Sequence, residues 1–102
     1  MFPNSEELYN QIAFSYRKLK DYKSALENVS KSIELNPKLG IAYSTLAEIY
    51  ADMGKEHENE FYINIELALM FGHPVWDDSN DESYQPYLTQ ERFKKLLEKY
   101  KP

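Results

Sequence analysis

Two histidines and no cysteine limit the chemistry open to this chain of 102 residues. His57-Glu58-Asn59-Glu60-Phe61 begins like the helical zinc-protease motif, in which a histidine four residues after the first completes a metal-binding face. Here that place is taken by Phe61. His73 precedes Pro74 and reads as a helix-end residue. Without thiols or a partner at ligand spacing, neither a zinc site nor a nucleophile–base pair can be assembled. Asp77-Asp78-Ser79-Asn80-Asp81-Glu82 has the oxygen content of a calcium loop. It lacks the central glycine and the closing glutamate of such loops, and a solvated loop ending in a helix cap is the alternative account. No glycine-rich phosphate loop is present, so the expectation is a non-catalytic chain with no metal and no cofactor.

Composition agrees with a packed globule: 42% apolar, 15% aromatic, with nine tyrosines and only three glycines. Tyrosine suits half-buried positions, ring packed and hydroxyl wet. The net charge of −5 argues against nucleic acid as a partner. From Glu56 through Glu91 there are nine acidic residues and neither lysine nor arginine; Arg92, Lys94, Lys95, Lys99 and Lys101 follow. Two solvated faces, with cations favoured near a helix C-terminus, account for this pattern. An acidic surface that selects basic partners is the other reading. No apolar run reaches the roughly 18 residues of a membrane span, so no membrane partner is expected. The absence of cysteine allows a reducing compartment, and the cytoplasm is favoured.

These residues must be positioned by helices. The first is expected over Ser5 to Leu19, with Asn4 as its cap and Glu7 completing a capping box; Leu8, Ile12, Ala13, Tyr16 and Leu19 keep helical spacing. Asp21 caps a second, Tyr22 to Leu35, which Asn36-Pro37 ends. A third covers Lys38 to Met53 before Gly54, and a fourth Glu56 to Phe71 before Gly72. The fourth is apolar nearly all round from Phe61 to Phe71, so it needs cover on more than one side. An irregular stretch from Val75 to Ser83, a helical turn around Tyr84 to Leu88, and a last helix from Gln90 to Tyr100, capped by Thr89, supply that cover. Trp76 reads as a plug over the fourth helix, or else as a surface on which a ligand stacks.

Pro3 and Pro37 stand 34 residues apart, and Tyr9, Ile12, Ala13, Tyr16, Ala25, Val29 and Ser32 between them form a pattern that restarts at Tyr43, Leu46, Ala47 and Tyr50. The pattern resembles the tetratricopeptide repeat, a helical hairpin of about 34 residues. The resemblance implies an all-α fold: antiparallel helix-turn-helix repeats in a short right-handed α-solenoid with a C-terminal capping helix. The repeats would run over about residues 5–37 and 38–74, and the closing segment over 75–102, as one domain. In the second repeat Phe61, Ile65 and Ala68 fit only if about two residues are inserted near Lys55 to Glu60. Phe2-Pro3 falls where a preceding repeat would end, which suggests the C-terminal end of a longer array; a complete protein that dimerises through its first helix is the alternative.

The resemblance further implies a concave groove lined by the first helix of each pair. Glu7, Asn10, Gln11, Phe14, Arg17 and Lys18 would line it from repeat one, and Ile41, Ser44, Thr45, Glu48 and Asp52 from repeat two. Lying outside the core stripe, these residues are expected to be free for a protein or peptide partner. Phe14 is the candidate anchor, or packs on an upstream repeat or the domain's own edge; Arg17 and Lys18 could meet a carboxylate or phosphate. Members of the family that grip acidic chaperone tails carry asparagine where this chain has Phe14 and Glu48, so that ligand is disfavoured. A scaffold that binds a protein is thus one reading. A cap for a longer array with no ligand of its own is a second, and a regulatory domain of a larger protein a third.

Overall fold

The structure, a computed structural model, describes residues 4–101; the Phe2-Pro3 step lies outside the described residues. The helices are α1 (Ser5–Lys18), α2 (Tyr22–Leu35), α3 (Gly40–Met53), α4 (Glu58–Met70), α5 (Val75–Asp78) and α6 (Glu91–Tyr100). Short 3-10 turns fall at Lys55–His57 and Glu82–Tyr84, and no strand occurs among the described residues. The fold is an all-helical repeat stack: α1 packs on α2, α3 on α4, and α2 joins the pairs by packing on α3.

Local chemistry sets the ends of the first pair. Asn4 Oδ1 accepts from the Glu7 N–H at 3.0 Å, and Asp21 Oδ1 accepts from the Ser24 N–H at 3.2 Å. Both satisfy backbone donors that a helix start leaves without intrahelical partners. α1 ends with Lys20 at φ 63°, while the Lys20 and Asp21 N–H groups donate back to Arg17 and Tyr16 carbonyls. α4 ends the same way with Gly72 at φ 86°, whose N–H and that of His73 donate to Leu69 and Ala68. That double closure is the Schellman cap, in which glycine adopts the left-handed conformation without strain.

α3 begins later than Lys38, at Gly40, because Asn36 organises the turn after α2. Its carbonyl accepts from the Leu39 N–H at 3.1 Å and its side chain from the Lys38 N–H at 3.1 Å. The 3-10 turn at Lys55–His57 falls where extra residues were expected, and Phe61, Ile65 and Ala68 are the residues of α4 that become fully buried.

Two apolar clusters meet at α3. One joins Ala13, Ala25 and Val29 of the first pair to Ala42 and Ile49. The other joins Ala47 to Phe61, Tyr62, Ile65, Ala68 and Leu69 of α4, and to Val75, Tyr84, Tyr87 and Phe93 beyond it. The Phe61 ring stacks on Tyr87 with centroids 3.9 Å apart and meets Tyr84 edge-on at 5.8 Å.

The C-terminal cover differs from expectation in three details. Val75 is fully buried against α4 and is the plug, whereas the neighbouring Trp76 is exposed. A four-residue helix, α5, puts adjacent side chains on different sides, and the smaller apolar one turned inward. Gln90, not Thr89, precedes α6, and it makes no cap hydrogen bond with its side chain. That side chain is engaged elsewhere: it accepts from the Tyr62 hydroxyl at 2.6 Å and donates to Glu58 at 3.1 Å. The basic residues of α6 do more than face solvent. Arg92 lies 4.0 Å from the Tyr62 ring centroid, and Lys99 and the Tyr100 hydroxyl reach Glu66 at 3.1 and 2.7 Å.

Candidate functional site

α1 and α3 lie side by side along one edge of the stack, and α5 with the turn after it forms the opposite wall. A cleft of about 690 Å³ opens between them, lined by Asn10, Gln11, Phe14, Ile41, Ser44, Thr45 and Glu48 from the helices, and by His73, Asp77, Asp78, Asn80 and Asp81 from the wall. A second cleft of about 550 Å³ carries Arg17, Lys18, Asp52 and, again, Asp81. Every groove residue named from the sequence except Glu7, which is exposed on α1, therefore lines one of the two clefts.

The residues are not all free, however. Gln11, Phe14, Lys18 and Ile41 are exposed and Asp52 is half-buried, but Asn10, Arg17, Ser44, Thr45 and Glu48 are buried. The expectation that all of them stand open to a partner is corrected: Arg17, Ser44 and Glu48 bond to residues of the wall, and Asn10 and Thr45 are buried as well.

Arg17 is the clearest case. Only 5% exposed, its guanidinium donates from Nε to Asp52 at 2.6 Å, from Nη1 to Glu48 at 3.2 Å and from Nη2 to Asp81 at 2.8 Å. Burial alone would favour losing its proton, but hydrogen bonds to Asp81 and Asp52 and the nearby Glu48 charge overcome this and hold it above its ordinary range. Asp81 is also part-buried, which alone would raise its pKa; the Arg17 bond and the Ser83 N–H it accepts hold it well below the usual carboxylate range. Arg17 is thus a structural tie between α1, α3 and the wall, and it is not available to an external carboxylate or phosphate.

Glu48 sits at the centre. Its carboxylate accepts from the Tyr84 hydroxyl at 2.8 Å and from Ser44 at 3.3 Å, besides Arg17. Burial pushes its pKa up to about 7, aided by the Asp81 and Asp78 charges and opposed by the Tyr84 bond and Arg17. Tyr84 is pushed well above the normal tyrosine range, first by burial and then by the Glu48 charge. Asp78 pairs through Oδ2 with His73 and lies 3.2 Å from the Ser44 hydroxyl, whose one hydrogen is shared between Asp78 and Glu48. Asp78, Asp81, His73 and Tyr84 were missing from the sequence reading of the groove. The Arg17–Asp81 pair spans 64 positions, and no local spacing signals it.

Phe14 remains exposed at 39%, with the Lys18 ammonium 5.0 Å and the Arg17 guanidinium 5.6 Å from its ring centroid. Ile41 is exposed across the cleft at 43%. The loop carrying Asp77 to Glu82 is not arranged as a cation cage. Asp81 caps the Glu82–Tyr84 turn through the Ser83 N–H at 3.0 Å, and no group of three or more histidine, aspartate or glutamate side chains among the described residues is placed to hold a metal ion.

Stacked helical hairpins with an edge groove define the class of α-helical repeat proteins that mediate protein–protein interaction. Residues 6–39, a third of the chain, match the family model of the tetratricopeptide repeat, so the first hairpin is similar to that repeat. The chain is also similar to the Sol locus transcriptional repressor of Clostridium acetobutylicum, with 37% identity over 100 residues. That alignment covers 94% of this chain and 31% of the relative, so the chain spans about a third of that protein's length. No solved structure matches it. No helix among the described residues is long and apolar enough to cross a membrane.

Proposed function

We propose that the chain is a non-catalytic interaction module that binds a segment of a partner protein in the cleft between α1, α3 and the α5 wall. The observation that carries this reading is the pair of exposed apolar side chains, Phe14 and Ile41, facing one cleft of about 690 Å³ above a polar floor. Apolar anchors set among fixed polar groups favour a partner chain because the scaffold has little left to order on binding. The floor is fixed by the Arg17, Glu48 and Tyr84 bonds. The proposed units are repeats at about 5–37 and 38–74 with a closing segment at 75–102.

The test is capture of partner proteins by the full chain. Phe14→Ala with Ile41→Ala should abolish capture, while Glu27→Lys on the exposed side of α2 should leave it intact. Equal capture by all three proteins would refute the groove. Arg17→Glu is unsuitable as a groove probe, because it would bury a fourth carboxylate beside Glu48, Asp52 and Asp81.

A regulatory role within a larger protein is the second reading, and it rests on the relative, which is named a transcriptional repressor. In it the groove would read a partner on behalf of another domain, in the cytoplasm. Loss of regulation in cells carrying the Phe14→Ala, Ile41→Ala protein, with its abundance unchanged, would support it; unchanged regulation would exclude it.

A further inference from the structure

The wall end of the groove has an excess of acceptors. Glu48, Asp52, Asp77, Asp78 and Asp81 line the two adjoining clefts there, and the cations among the lining residues are Arg17, Lys18 and Lys20. Arg17 is spent on Glu48, Asp52 and Asp81, and His73 on Asp78. Lys18, the nearest exposed cation, reaches only Asp81, at 4.0 Å. Among the described residues the Asp77 carboxylate engages no hydrogen bond or ion pair, its backbone N–H donating to Pro74, and the Asp78 carboxylate uses only Oδ2.

An independent observation points the same way. Asn10 lines this cleft and is 6% exposed, yet its Oδ1 has no hydrogen-bond partner. A buried acceptor without a donor is costly, so an unpaired amide oxygen in a residue that lines the cleft calls for a donor. Acidic side chains and an amide oxygen both call for N–H groups with positive charge. A guanidinium offers five such donors in a planar fork and is less strongly hydrated than an ammonium.

We infer that the partner segment proposed above inserts an arginine into this corner, between Asn10 and the Asp77–Asp78 edge, with an apolar neighbour resting on Phe14 and Ile41. The inference rests on the groove reading and adds the charge of its ligand. It also gives a use to two carboxylates of the acidic stretch, Asp77 and Asp78, which line the cleft from the wall.

The experiment is a titration of the 15N-labelled full chain with three blocked peptides, Leu-Arg-Leu, Leu-citrulline-Leu and Leu-Glu-Leu. Citrulline keeps the shape of arginine and removes its charge. The arginine peptide should shift the Asn10 side-chain amide and the Phe14 and Asp78 backbone signals. It should bind about tenfold more tightly than the citrulline peptide, as expected for one charge-assisted contact. The glutamate peptide should not bind. Asp77→Asn with Asp78→Asn should erase most of the arginine preference, and Asn10→Leu should weaken the arginine peptide with the helical fold intact by circular dichroism. Equal binding of the arginine and citrulline peptides at these residues would overturn the cation preference and leave the groove standing. No shift in the cleft with any of the three would overturn both.

Discussion

The α1–α2 and α3–α4 hairpins have helices of nearly equal length, 14 and 14 residues against 14 and 13, but bury them differently. The first buries one stripe, Ala13, Ala25 and Val29, and leaves Leu8, Leu19 and Leu35 exposed. In the second, α4 is covered on two sides, by α3 on one flank and by Tyr84, Tyr87 and Phe93 of the C-terminal segment on the other. The segment that covers α4 also walls the groove and ties it to α1 through Arg17 and Asp81. Core and groove are therefore built by the same stretch of chain, and damage to one should be felt in the other.

The largest effect should come from Phe61, which is fully buried and stacked on Tyr87. Phe61→Ala is expected to cost about 4 kcal/mol. In the first hairpin the equivalent of Phe61 is Ala25 and the largest fully buried apolar side chain is Val29, whose change Val29→Ala should cost about 2 kcal/mol. Urea denaturation measures both, and equal losses would erase the contrast between the hairpins.

Next is the tie. Arg17→Met leaves Glu48, Asp52 and Asp81 facing one another, and should cost about 3 kcal/mol in the same assay. Adding Asp81→Asn should recover part of the loss. No recovery would mean that Asp81 is not coupled to Arg17.

Acid titration separates two carboxylates of the groove with opposite signs. Glu48 has a raised folded-state pKa of about 7 against an ordinary 4.5, so the folded state holds its proton longer. Its contribution therefore falls as pH rises from about 4.5 to about 7, and stays lost above that. Glu48→Gln should flatten this slope, worth on the order of 3 kcal/mol. Asp81 has a lowered pKa, so its stabilisation is present above its ordinary 3.8 and is lost as pH falls below it. Asp81→Asn should make the protein less sensitive to strong acid. Thermal unfolding across pH reads both.

The smallest effects concern the helix ends. Lys20 and Gly72 occupy equivalent left-handed positions at φ 63° and 86°. Lys20→Gly should gain, and Gly72→Ala lose, up to about 1 kcal/mol. A Cβ at Gly72 meets nothing within 4 Å, so a loss there is backbone strain alone.

The helices were legible because burial in them follows local period. Asn4, Asp21 and the alternation of Ala13, Tyr16, Ala25 and Val29 are signals within a few residues of one another. The all-round apolar character of α4 also announced a second cover. The identity of that cover was less legible. Val75 and Trp76 are adjacent apolar residues, and only the path of a four-residue helix decides which turns inward. The burial of Arg17, Ser44, Thr45 and Glu48 was hidden for a related reason. Each occupies a groove position by its phase in the helix, and Arg17, Ser44 and Glu48 bond to wall residues far along the chain, 64 positions away in the case of Arg17 and Asp81.

The central claim, that the cleft beside Phe14 receives a partner chain, is tested most directly by photocrosslinking. Benzoylphenylalanine would replace Phe14 in one protein and Glu27 in another, each irradiated in extract of its host cells. A discrete adduct from position 14 that is absent from position 27, and that is lost when Ile41→Ala is added, is the predicted result. Identical adducts from both positions, or none from position 14, would contradict it.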